Sequence, residues 1–242
     1  MIYCGDCLEI MPTLPDKSID MILCDPPYGM KYQSSRRTAT PQFNKIENDD
    51  AMDWVPLFLK ECFRVLKDDS HAYVFCNDYA ISDFRRAFEV AGFKAKRTLV
   101  WVKNNHTSGD LLGDYGNKTE FIIYAQKGRR LLRGGRDTNV LLFNRVAQLR
   151  HPTQKPVDLC EYLICKSSNE GDTVLDPFAG SGTTGVACIK TRREFILIEK
   201  DPKYVAMIER RIKQVQPPLP MTMERILTPM SGRFTGRRRR LF

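Results

Sequence analysis

The chain has 242 residues, 42% of them hydrophobic and 28% charged, with a formal net charge of +9. That length suits one well-buried domain and is short for two, and the composition is that of a globular protein. No apolar run approaches the ~18 residues a membrane-spanning helix needs, and the opening MIYCGDCLEIM has no basic stretch ahead of its apolar residues, so a cytoplasmic protein is expected.

Strands and helices alternate along the chain, which predicts an α/β domain with a mostly parallel sheet. Residues 19–24 (IDMILC) are a short apolar run that stops at Asp25-Pro26-Pro27, as a buried strand would. Trp54, Phe58, Cys62 and Leu66 recur every four residues and predict a helix over 53–66. A strand is expected at 71–76, then a helix over 82–91 closed by Gly92. Further strands are expected at 97–102 and 120–125, which are rich in Val, Ile and aromatic residues. Residues 127–150 break the rhythm, with seven basic residues, one acidic residue and a single apolar clump at 140–143. A helix follows at 156–166, a strand at 173–175, a helix at 182–190, a strand at 195–198 and an amphipathic helix at 201–215. Four Pro from Pro217 to Pro229 end it, and 217–242 reads as a Pro/Arg-rich tail with four consecutive Arg at 237–240. The expected organisation is one catalytic domain over 1–216 and that tail.

The eight Cys are scattered. Cys4 and Cys7 form one C-x-x-C, but no second pair follows at zinc spacing, so buried thiols and no metal are expected. The basic excess points to a polyanionic partner, although a solvated surface strip would carry the same charge.

Two segments carry chemistry. In the first, Asp176-Pro177-Phe178-Ala179-Gly180-Ser181-Gly182-Thr183 links a strand to a helix through a glycine turn. Glycine lets the backbone pass close to a ligand, and the helix start offers unpaired N–H groups. Glu199 ends the next strand, where a carboxylate suits a ribose diol. Gly180, Gly182 and Gly185 also spell the dinucleotide fingerprint, so a nicotinamide cofactor competes. The carboxylate of Asp176 would repel a pyrophosphate, yet it would suit the ammonium of a methionine moiety, which favours S-adenosylmethionine.

The second segment is Asp25-Pro26-Pro27-Tyr28 at the end of a buried strand, where open α/β sheets place ligands. The Asp25 carboxylate and the proline carbonyls are acceptors for an exocyclic amine, and Tyr28 offers a ring for a base to stack on. Bonding both amine protons localises the nitrogen lone pair, which can then attack a sulfonium methyl without a metal or a covalent intermediate. A base in a duplex must flip out to reach such a pocket.

With these segments the chain resembles the amino-group DNA methyltransferases in their β-class order, with D-P-P-Y early and F-x-G-x-G late. His151-Pro152-Thr153-Gln154-Lys155-Pro156 is similar to that family's H-P-T-x-K-P element. The resemblance spans about residues 1–215. It implies an S-adenosylmethionine-dependent, Rossmann-like fold with a seven-stranded, mostly parallel sheet flanked by helices. It implies catalysis by Asp25, Pro26, Pro27 and Tyr28. Cofactor binding falls to Asp6, Asp176, Phe178, Gly180, Gly182, Thr183 and Glu199, with Thr153 and Lys155 lining the methionine side. It places target recognition in the basic insert, so Arg129, Arg130, Arg133, Arg136 and Arg145 are expected contacts to double-stranded DNA; because the insert is short, Arg36 and Arg37 of the loop over 30–50, after D-P-P-Y, are expected to join them. It also implies a homodimer. The D-P-P-Y form points to adenine N6, with cytosine N4 or an RNA amine as alternatives. An inactive binder would be expected to have lost Asp25, Tyr28 or the glycines, and all are present.

Overall fold

The computed structural model describes residues 1–27, 54–106, 112–113, 115–146 and 154–216. At its centre is β2 (Ile19–Cys24), buried at all six positions as expected of a parallel strand covered on both faces. Around it run β1 (Ile2–Cys4), β3 (Leu66–Cys76), β4 (Lys94–Val102), β5 (Thr119–Lys127), β6 (Val140–Leu142), β7 (Thr173–Asp176) and β8 (Glu194–Glu199). The order across the sheet is β1-β8-β7-β2-β3-β5-β4-β6, and only the β3/β5 and β5/β4 pairs are antiparallel. The sheet therefore has eight strands among the described residues, one more than the resemblance implies. The two strands not read from the sequence, β1 and β6, have three residues each. Alternation needs a longer run to show.

Alternate residues of β2 feed two cores. Ile22 and Cys24 pack on the face covered by α1 (Cys7–Ile10), α2 (Val55–Val65) and α3 (Ile81–Val90), where Phe58, Phe84 and Phe88 are fully buried. Met21 and Leu23 pack on the face covered by α4 (Val157–Ser167) and α5 (Thr183–Lys190), with Leu159, Leu163 and Ala187. Each fully buried Phe contributes roughly 1.5–3 kcal/mol of transfer free energy. The last helix, α6 (Pro202–Lys213), starts at Asp201, whose carboxylate accepts the Lys203 N–H at 2.8 Å, and it packs Ile208 beside Leu197 and Ala179.

The four-residue spacing predicts Leu66 as the end of the second helix, but Leu66 begins β3 instead, pairing with Ile19 before the register shifts to Met21–His71. Its spacing suits the helix stripe, yet its backbone is extended (φ −72°, ψ 135°).

The strand order places the site. From β2 the chain moves outward through β3, and it later returns to lay β7 on the other side of β2. That reversal between β2 and β7 is a topological switch point, where a crevice opens beyond the strand ends. Asp25 directly follows β2 there, and Asp176 closes β7.

Candidate active site

The loop after β7 is wound around the Asp176 carboxylate. Oδ1 accepts the Phe178 N–H at 3.0 Å, and Oδ2 accepts the Thr184 hydroxyl at 2.5 Å. Burial raises its pKa to about 7; its two hydrogen bonds oppose the rise, and the charges of Asp25 and Glu199 add to it. Gly180 (φ +51°) and Gly182 (φ +74°) supply the left-handed turns that bring the chain into α5. A Cβ at Gly182 would stand 2.9 Å from Cγ2 of Ile208, so the loop lies tight against α6. Gly185, the third glycine of the fingerprint, serves packing: its Cβ would meet Leu197 at 2.8 Å and Ile212 at 3.0 Å. Phe178 anchors the loop, lying 5.4 Å from the Trp54 ring and 5.1 Å from that of Phe58.

Glu199 faces the loop from β8. Its oxygens accept the N–H groups of Gly180 at 2.8 Å and Asp201 at 2.9 Å, which leaves lone pairs for hydroxyl donors. Partial burial raises its pKa. Asp6 caps α1 through the Leu8 N–H at 2.9 Å, beside β8, with Lys200 at 3.6 Å. Arg211 of α6, which the sequence does not single out, donates to the carbonyl of Ser181 at 2.8 Å and its hydroxyl at 3.0 Å, and to the Thr183 hydroxyl at 3.2 Å. A basic residue on the polar face of an amphipathic helix carries no signal of such a role.

Lys155 joins this loop to the second segment. Its carbonyl accepts the Thr183 hydroxyl at 3.3 Å, and its ammonium donates to Oδ2 of Asp25 at 2.5 Å. The same ammonium lies 3.2 Å from Glu120 of β5, which pairs with Lys103 at 2.8 Å. The resemblance places Lys155 on the methionine side of the cofactor, and its charged end is turned to Asp25.

The strand ends thus bring together Asp6, Asp176, Glu199, Asp25 and Lys155 along one edge. Tyr28, Thr153, Arg36 and Arg37 lie outside the described residues. The basic insert divides. Arg145 is at the same edge as Asp25, where its backbone N–H donates to Asn104 at 2.9 Å. Arg129, Arg130, Arg133 and Arg136 follow the far end of β5, roughly 25 Å away at ~3.3 Å per strand residue. There Arg130 pairs with Asp172 at 3.1 Å, and Arg133 binds the Ser168 carbonyl at 3.1 Å and the Asn169 side chain. The structure does not bring these four to Asp25, because β5 runs antiparallel to β3 and carries the chain away from the edge.

His71 also lies away from that edge, bonded to Ser167, Tyr124 and Gln126, and burial lowers its pKa to about 4. It stays neutral and out of reach of the crevice. Asp176 is held near neutrality and Asp25 is paired with Lys155, so the edge offers carboxyl oxygens as acceptors for the hydroxyl and amino groups of a ligand.

The family model described as "DNA methylase", for N6/N4 methyltransferases, matches residues 19–210. The chain belongs to this DNA methylase family. The Escherichia coli strain K12 protein named "Putative methylase YubD" is 32% identical, with 88% of this chain and 89% of that protein covered. The M1.HpyAVI–SAM complex is 28% identical, covers 87% of this chain and 98% of its own, and superposes with a TM-score of 0.68. The cytosine-N4-specific PvuII DNA methyltransferase shares the fold at a TM-score of 0.73 and 20% identity, covering 93% and 89%. S-adenosylmethionine is the methyl donor of this DNA methylase family, and the acidic edge from Asp6 to Asp25 has the chemistry to hold it.

Proposed function

We propose that this DNA methylase transfers a methyl group to N6 of adenine in double-stranded DNA, after flipping the base into the crevice between β2 and β7. The observation that carries the reading is the Asp25 carboxylate, held by Lys155 at the strand end beside the cofactor loop. Asp25 and the Pro26 carbonyl accept the two amine protons, and Tyr28 stacks on the flipped base. The localised lone pair then attacks the sulfonium methyl that the cofactor supplies. In that transfer an N–C bond would form as the S–C bond breaks, and the surplus amine proton would pass by way of Asp25 to water. Catalysis is positioning plus electrostatics.

Asp25 also supports adenine over cytosine, since the D-P-P-Y form goes with adenine in the family and S-P-P-Y with cytosine. Glu199 takes the ribose of the cofactor, and Asp6, next to it along the edge, lies beside the cofactor or the base, with the loop of Gly180 and Gly182 beneath it. Arg145, at the reactive edge, is the described Arg of the insert best placed for DNA, and Arg36 and Arg37 belong to the same reading.

Asp25→Ala is expected to cut methyl transfer to duplex DNA by about a thousandfold or more, while S-adenosylmethionine affinity, read by calorimetry, changes only about threefold. Retained transfer would remove Asp25 from its role.

A further inference from the structure

The ammonium of Lys155 is drawn from two sides, by Oδ2 of Asp25 at 2.5 Å and by Oε2 of Glu120 at 3.2 Å. The other oxygen of Glu120 takes Lys103 at 2.8 Å. These charges come from four places in the chain: the end of β2, the approach to α4, the start of β5 and the end of β4. Two carboxylates and two ammoniums make a neutral set. The side chains of Lys155 and Lys103 are only 8% and 6% exposed, and their ammoniums lie over the rings of Phe75 at 5.0 Å and Trp101 at 5.4 Å. Burial alone would push the Glu120 carboxyl up, but Lys155 and then Lys103 outweigh it and hold it below its ordinary value, so it is ionised. Charges this secluded are tolerated only when paired.

We propose that Glu120, braced by Lys103, is a positioning residue for methyl transfer: it fixes the Lys155 ammonium so that Lys155 presents the Asp25 carboxylate in one orientation. The proposal rests on the reading of Asp25 as the amine acceptor. A lysine stem has four flexible carbons and a point charge. Held by Asp25 alone, its ammonium can slide between the two carboxylate oxygens or bridge them, turning the acceptor away from the amine. Held also by Glu120, it stays on Oδ2. Glu120 shares the lysine charge as well, so Asp25 keeps acceptor strength for the substrate. Lys103 keeps Glu120 from following Lys155.

The test uses the full chain, duplex DNA and single-turnover kinetics. Glu120→Gln is expected to slow transfer about ten- to a hundredfold, the scale of a small misplacement, with S-adenosylmethionine Kd and DNA KM each within about threefold. Glu120→Asp should recover part of the rate. Because Glu120→Gln removes the carboxylate that pairs with Lys103, the double variant Lys103→Met/Glu120→Gln is made beside it; it removes one charge of each sign and should show the same loss. A folded variant of either kind with the parental rate overturns the proposal, and so does a loss of rate matched by an equal loss of cofactor affinity. Asp25→Ala, run in parallel, separates the two readings. If it is inactive while Glu120→Gln is fully active, only the positioning role fails. If it is active, the reading of Asp25 fails.

Discussion

Asp176 is a carboxyl group that the fold keeps close to neutrality, and this has a measurable sign. Its folded pKa, about 7, lies above the ordinary 3.8. Between those values the native state holds the proton and the unfolded chain has released it, so stability falls as pH rises through that window. The full effect is at most roughly 4 kcal/mol. Asp176→Asn should remove it: in urea melts from pH 4 to pH 7.5, the parent should lose stability with rising pH relative to the variant. Parallel curves would mean that Asp176 is ionised in the fold. The sequence marks Asp176 as functional and suggests the methionine ammonium as its partner; in the fold its oxygens also take donors from Phe178 of the loop and Thr184 of α5. Asp25 and Glu199 are legible because each ends a short apolar strand at a place where ligands gather. Glu120 and Lys103 are not, because a single charge at a strand end is ordinary and their meeting depends on the β4–β5 pairing.

The strand–loop–helix unit from β7 to α5 can be read from its glycines, and its sensitivity follows from its backbone. Gly182→Ala puts a Cβ at φ +74° and 2.9 Å from Ile208. It should cost about 1–3 kcal/mol in denaturant melts and weaken S-adenosylmethionine binding as the loop shifts. An unchanged melt would contradict the tight packing of loop on α6. The basic insert is legible as an interruption but not as a path. Its charge pattern suggests one DNA-facing strip, yet its first half lies at the far end of β5, and β6 leads back to the reactive edge. Arg133→Ala should therefore lower stability by about 1 kcal/mol, because it removes the hydrogen bond to the Ser168 carbonyl, and leave the KM for DNA alone. Arg145→Ala should raise that KM with stability unchanged. The reverse pattern would return DNA recognition to the first half of the insert.

For the molecule as a whole, alternation of strands and helices reveals the class of fold, and the order of two motifs reveals where the crevice must lie. The strand count and the direction of each insert are hidden because they depend on pairing between distant segments. Net charge also belongs to this scale. The tail over 217–242 carries six Arg against one Glu. Ending the chain at residue 216 should flatten the dependence of log affinity for DNA on log salt by about 0.9 for each phosphate that the tail neutralises, with the rate on saturating DNA unchanged. An unchanged slope would show that the tail touches no phosphate. The central claim is that an Asp at the end of β2 directs the methyl group to an adenine amine in DNA. Its most direct test is to incubate the protein with methyl-labelled S-adenosylmethionine and unmethylated duplex DNA, digest to nucleosides and identify the labelled one by mass. The account predicts N6-methyladenine, and label on N4-methylcytosine, or none in DNA while the cofactor binds, would contradict it.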